Sequence, residues 1–219
     1  MADSQPAPGS RTRIVRHPER GSYDRDTACA ILDEALVCHV GFATDGGPMV
    51  IPTLFARLDD TIYIHGSAIG RMLTTLAGGV DVCVTVTLVD GLVLARSAFH
   101  HSMNYRSVVV LGRAREVTDP DQKWRALEAT VNHVLAKRWD AVRQPSDAEL
   151  RATTVVALPI EEYSVKIRAA GVVDSESDYG LDTWAGVLPL AVTAGEPEPD
   201  ARLTPGIDVP ADVRGYRRA

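Results

Sequence analysis

No apolar run in this 219-residue chain approaches the ~20 residues a membrane-crossing helix needs. The start, Met1-Ala2-Asp3-Ser4-Gln5-Pro6, lacks the charged opening and apolar stretch of a signal peptide, so a cytoplasmic protein without membrane association is expected. Cysteine is scarce. Cys29, Cys38 and Cys83 show no C-x-x-C spacing, which fits three reduced thiols and neither a disulfide framework nor a metal site. Positive charge is in deficit, with 23 Lys and Arg against 29 Asp and Glu, a net charge of −6. Non-specific nucleic-acid binding needs a basic surface and is not expected, while a local pocket for one phosphate stays open. Also missing are G-x-x-x-x-G-K-S/T, G-x-G-x-x-G after a strand, G-x-S-x-G and H-E-x-x-H, the signatures of common nucleotide, hydrolase and zinc-protease sites.

What is present is strand after strand. A short helix opens the folded part, capped by Asp24 or Asp26 and carrying Ala28, Ile31, Leu32 and Leu36 at spacing 3–4. Leu36–Ala43 and Met49–Arg57 read as strands about an Asp45-Gly46-Gly47 turn, and Thr61–His65 follows Asp59-Asp60. A short helix over Met72–Ala77 leads to Asp81–Leu88, where Val82, Val84 and Val86 alternate with Cys83, Thr85 and Thr87. Val89-Asp90-Gly91 reads as a turn into Leu92–Ser97, and Arg106–Val117 as a long strand. Asp119 and Pro120 open the clearest helix, with Trp124, Leu127, Val131, Val134 and Leu135 on one face. Strands at Thr153–Leu158 and Tyr163–Gly171 close the series. The pattern predicts a mainly β, antiparallel barrel with peripheral helices over residues 12–192, a loose N-terminus over 1–11, and a flexible Pro-rich and charged tail over 193–219. His17 and His133 read as surface residues, and His39 as an interior or interface histidine.

Three segments can carry chemistry. The first runs from Tyr63 through His65, Gly66 and Ser67 to Gly70 and Arg71, where glycines admit a ligand, Ser67 offers a hydroxyl and Arg71 a cationic fork for phosphate. From the residues alone, a plain strand–helix connection with a surface arginine is the more ordinary reading of the same stretch. The second is His100-His101-Ser102-Met103-Asn104-Tyr105-Arg106-Ser107, a polar cluster before an apolar strand, whose alternative is a surface loop. Adjacent histidines on a strand face opposite ways, so they make a poor metal pair. The third is Lys166 with Arg168 on one face of a late strand, either a solvated edge or the wall of an anion site.

In their order and spacing these segments resemble the pyridoxamine 5′-phosphate oxidase-related, FMN-binding split-barrel family, particularly its nitroimidazole-reductase-like branch. The resemblance runs from about residue 12 to 190, through Gly47–Thr53, Ile62–Ala68 with Gly70-Arg71, Asn104–Ala114, Val165–Arg168 and Thr183–Leu190. It implies a split β-barrel, a homodimer with FMN at the subunit interface, and flavin-mediated hydride or electron transfer to a small molecule. It places Val50, Pro52 and Thr53 against the flavin ring, and His65, Gly66, Ser67 and Arg71 on its phosphate. It also brings Arg106, Ser107 and Lys166 to the cofactor and the Trp184 block over the cleft. Met49 stands where the true oxidases carry an arginine, and their C-terminal Arg-x-His pattern is absent, so oxidation of pyridoxamine phosphate is not expected. No catalytic side chain is assigned; Tyr105 and His101 are the nearest proton donors. Alternatives on the same fold are a non-catalytic flavin store or redox sensor, a deazaflavin protein, or a haem protein using the His65, His100 and His101 group.

Overall fold

The computed structural model describes residues 9–217; the expectations for residues 1–8 and for Arg218 at the end of the tail lie outside the described residues. In chain order the elements are β1 (Gly21–Ser22), α1 (Arg25–Glu34), β2 (Val37–Thr44), β3 (Gly47–Leu54), β4 (Ala56–Leu58), β5 (Thr61–Ser67), α2 (Arg71–Ala77), β6 (Asp81–Leu94), β7 (Ser102–Arg113) and β8 (Arg115–Glu116). Then follow α3 (Pro120–Val134), α4 (Asp147–Ala152), β9 (Thr153–Pro159), β10 (Glu162–Arg168), β11 (Gly186–Pro189) and α5 (Ala211–Arg214). The strands form two antiparallel sheets, one ordered β1-β10-β7-β6-β2-β3 with β11 added to β6, the other β4-β5-β9-β8.

Local chemistry explains the boundaries. Asp24 caps α1 by accepting from the Thr27 amide at 2.8 Å, and Asp119 caps α3 through the Gln122 amide at 2.7 Å. Ser146 and Glu149 form a reciprocal capping box that starts α4. The β2–β3 hairpin turns at Gly47, whose φ of 109° is closed to most side chains.

Alternation then sorts the faces of the large sheet. Cys38, Val40, Phe42, Val82, Val84, Val86, Val108, Val110, Tyr163 and Val165 point inward with Phe55, Ile62 and Ile64, and α1 closes this core with Ala28, Ile31 and Leu32. The opposite, outward face carries His39, Val50, Pro52, Thr85, Ser107 and Lys166 in register. A smaller apolar cluster of Tyr63, Val117, Ala126 and Val155 seats α3 on the second sheet.

Three expectations are corrected. Asp90-Gly91 is not a turn: β6 runs on for 14 residues, with a bulge between Val89 and Gly91. Gly91 is required there, because a Cβ would sit 3.0 Å from the Leu188 carbonyl of β11. Ser102–Tyr105 is strand rather than loop, since β7 starts early enough for Asn104 to pair with Gly91 and Tyr105 with Arg168. His133 is not a surface residue, for its Nε2 bonds the Ala35 carbonyl at 2.6 Å and its ring lies 5.4 Å from that of Phe55.

Candidate functional site

β5 places its side chains in two directions. Ile62 and Ile64 enter the main core, while Tyr63 and His65 face α3. The His65 ring lines a cavity of about 320 Å³ together with Leu127, Thr130 and Val131 of α3, Trp139 and Val142. Trp139 is fixed there by its amide on Asn132 Oδ1 at 3.0 Å and by an edge-on contact with Trp124 at 5.3 Å. At the rim, Arg143 grips Glu149 in two bonds of 2.7 and 2.9 Å. That guanidinium, with the Ser146 amide and hydroxyl, pulls the Glu149 carboxyl down to about 2.

His65 Nδ1 is buried and has no hydrogen-bond partner among the described residues. A buried polar atom without a protein partner is costly and is satisfied by an ordered water, an ion or a ligand. Burial also pushes the His65 pKa down, which keeps the imidazole neutral and able to donate a lone pair. The sign of the linkage follows. Above an unfolded-state pKa of about 6.5 the ring is neutral in both states and contributes nothing; below it, the unfolded chain takes a proton that the folded chain resists. The cofactor-free protein should therefore lose stability as pH falls through and below that value, and His65→Phe should remove part of this dependence. Urea melts of both forms at several pH values check it; an unchanged pH dependence would contradict a buried neutral His65.

One residue further along β5, Gly66 packs its α-carbon against Leu73, where a Cβ would lie 3.1 Å from Cδ2. The turn that follows is tight, with the Gly70 amide 2.9 Å from the Ser67 carbonyl, and it delivers Arg71 to the first position of α2. Ser67, Ile69 and Arg71 are exposed, and neither the Ser67 hydroxyl nor the Arg71 guanidinium has a partner among the described residues. Among the described residues a hydroxyl and an unpaired cation thus flank this turn.

The other expected residues fall elsewhere. Val50, 65% exposed, and Pro52 lie on the outward face of β3, while Thr53 is half-buried beside Cys38 on the inward face. Ser107 donates to the Lys166 carbonyl at 3.3 Å, and Lys166 Nζ reaches the Arg16 carbonyl at 3.3 Å. Arg168 is buried and bonded to Asn104 Oδ1 and to the carbonyls of Ala170 and Gly171, so it holds the turn after β10. Arg106 is not a loose phosphate hook: Glu34 and Asp90 clamp its guanidinium and drive its pKa further up.

The histidine trio does not assemble. His100 Nε2 pairs with Ser175 Oγ at 3.3 Å and His101 Nδ1 with the Ser97 carbonyl at 3.0 Å, and neither lines the His65 cavity. Tyr105 is half-buried on β7, and Trp184 is 69% exposed, with its ring over Gly186. Among the described residues no group of three His, Cys, Asp or Glu side chains could hold a metal ion by itself. Sequence reasoning missed the cavity formed by α3, Trp139 and α4; the two tryptophans and the Ser146–Glu149 capping pair were its only local traces.

Comparison with known proteins agrees with this architecture. The family model described as pyridoxamine 5′-phosphate oxidase matches residues 24–167. Among solved structures, the flavocytochrome Anf3 from Azotobacter vinelandii is 40% identical, with 97% of this chain and 99% of that one covered at a TM-score of 0.90. The FAD and haem binding protein from Mycobacterium smegmatis is 33% identical over 90% of this chain and 96% of that one, with a TM-score of 0.85. A candidate 5-nitroimidazole antibiotic resistance protein from Bacteroides thetaiotaomicron shares 26% identity over 67% of this chain and 86% of its own, at 0.55. No curated protein matches. With two thirds of its length in that family model and near-complete overlap with such relatives, the chain belongs to the pyridoxamine 5′-phosphate oxidase family and has its mainly antiparallel split-barrel fold.

Proposed function

We propose that this protein is a flavin-dependent redox protein that also carries haem, with the haem iron held by His65. One observation carries the haem reading: a half-buried imidazole, held neutral by burial, whose buried Nδ1 has no partner among the described residues lines an otherwise largely apolar cavity between β5 and α3. Its support is the 40% identity to a flavocytochrome and the 33% identity to a protein that binds FAD and haem. A neutral ring nitrogen is the donor that haem iron takes from histidine.

For the flavin, Ser67 and Arg71 are the residues free to hold a phosphate, and Val50 and Pro52 on the outward face of β3 are the wall for the ring, while Thr53 turns to the opposite face and takes no part. Ser107 and Lys166 share the outward face with Val50 and complete the cofactor groove from the same or a second subunit. The expected cofactor was FMN; the Mycobacterium smegmatis relative favours FAD. When bound, a flavin supplies two-electron chemistry and a haem one-electron chemistry, while the chain binds both, orients them and excludes water. Met49 in place of the oxidases' arginine directs the activity away from pyridoxamine phosphate.

The test is the purified holoprotein's absorption spectrum with cofactor extraction. Soret and flavin bands together, at one of each cofactor per chain, are expected. A protein with flavin alone would remove the haem reading, and a colourless one would remove both. Phosphodiesterase treatment of the released flavin separates FAD from FMN.

A homodimer belongs to the same proposal. Val37, Val50 and Leu54 leave 45%, 65% and 41% of their surface open on the outward face of β2 and β3, an apolar patch suited to a second subunit. Val50→Asp is expected to shift the protein from dimer to monomer in light scattering, with its circular dichroism unchanged. A monomeric wild type would contradict the arrangement.

A further inference from the structure

Arg168, the last residue of β10, is 7% exposed, yet no carboxylate pairs with it among the described residues. Its partners are all neutral. Nη1 donates to Asn104 Oδ1 and to the Ala170 carbonyl at 3.1 Å, and Nη2 to the Gly171 carbonyl at 3.1 Å. A buried charge is normally matched by an opposite one, because neutral acceptors return only part of the hydration it has lost. The chain follows that rule elsewhere: Arg96 takes Asp174 at 3.2 Å, and Arg106 takes Glu34 and Asp90.

Two features suit the surroundings of Arg168 to an anion. The first is the part of the guanidinium still to be satisfied. Nη2 has used one of its two hydrogens, and Nε has no partner among the described residues. Unlike Arg96 Nε, it is not sealed from solvent. Nε and Nη2 form the side-on edge with which an arginine takes two oxygens of an oxyanion. The second feature is another cation. β1 pairs with β10 through Gly21 and Lys166, which brings Arg20 alongside the end of β10. Burial first, and the Arg20 charge second, press the Arg168 pKa down. Arg20 has only a loose contact with Glu19 at 3.7 Å, and the same carboxylate oxygen already bonds His17 Nδ1 at 3.0 Å. Tyr105 stands opposite Arg168 in register, and its hydroxyl has no partner among the described residues.

We propose that Arg168 and Arg20 hold the phosphate group of a small phosphorylated molecule, with the Tyr105 hydroxyl as a further donor. A phosphate monoester carries nearly two negative charges near neutral pH and matches two guanidinium groups, whereas a carboxylate neutralises one. The site is separate from Ser67 and Arg71, which belong to the other sheet and to α2, and it does not depend on which cofactor the protein carries.

Calorimetric titration of the protein as purified, cofactors included, with phenyl phosphate, benzoate and phenol tests this. Phenyl phosphate should bind at least about tenfold tighter than benzoate, and phenol should not bind. Arg168→Lys should weaken phenyl phosphate, since an ammonium keeps the charge but loses the fork. Because Arg168 also holds the turn after β10, Arg20→Gln is the deciding variant. It should weaken phenyl phosphate at least about tenfold while circular dichroism stays unchanged. Arg71→Ala should leave phenyl phosphate affinity as it is, which keeps this site apart from the one proposed for the flavin phosphate. No binding of phenyl phosphate, equal affinity for benzoate, undiminished binding in Arg20→Gln, or loss of binding in Arg71→Ala would overturn the proposal.

Discussion

His65→Ala is expected to abolish the Soret band of the purified protein while leaving its flavin band in place. Among the described residues the cavity on the α3 side of β5 is lined by no second histidine, cysteine or methionine that could replace the lost ligand. Loss of a hydrogen-bond partner behind a metal ligand already costs 10- to 100-fold in affinity, and loss of the ligand itself should cost more than about 100-fold. The flavin is the internal control. Ser67 and Arg71 lie beyond Gly66 on the same stretch of chain, and His65→Ala leaves both in place. Loss of both cofactors together would mean the variant had damaged the fold instead. Addition of imidazole to His65→Gly should restore haem binding, which a purely structural role for His65 would not allow.

The second large effect is on the flavin. Arg71→Ala should weaken it by about 10- to 100-fold, the range of one charge-assisted phosphate contact, and Ser67→Ala by less, because a hydroxyl adds only a neutral hydrogen bond. Arg71 has no partner to lose among the described residues, so thermal stability of the cofactor-free form should not change. Fluorescence titration of that form with FMN and with FAD measures the effect. Arg71→Lys should recover only part of the affinity, since an ammonium keeps the charge but loses the two-pronged geometry. Flavin binding unaffected by Arg71→Ala would move the phosphate to Lys166 or elsewhere.

Much of the fold is legible locally. The valines of β6 and β7, the Asp24 and Asp119 caps and the Gly47 hairpin each state their structure within a few residues. What fails to show is whatever depends on a distant partner. Asp90-Gly91 carries turn chemistry, and only β11, almost 100 residues later, makes it a bulge. Arg106 reads as a cation before a strand; its fate is set by Asp90, 16 residues away, and Glu34, 72 away. His65 shows by alternation which way it points, yet the cavity it faces is built from α3, Trp139 and α4, none of which carries a histidine-binding motif. The family resemblance supplies the order of the segments, and the geometry adds that the His65 ring faces α3 while Ser67 and Arg71 stand exposed beyond Gly66.

The proposed haem sits beside Trp139. The chain has three tryptophans; Trp139 lines the cavity, Trp124 touches it edge-on, and Trp184 stands exposed. Haem titrated into cofactor-free Trp184→Phe protein should quench nearly all tryptophan emission and saturate at one haem per chain. Haem binding that leaves this emission bright would place the cofactor elsewhere and contradict the account.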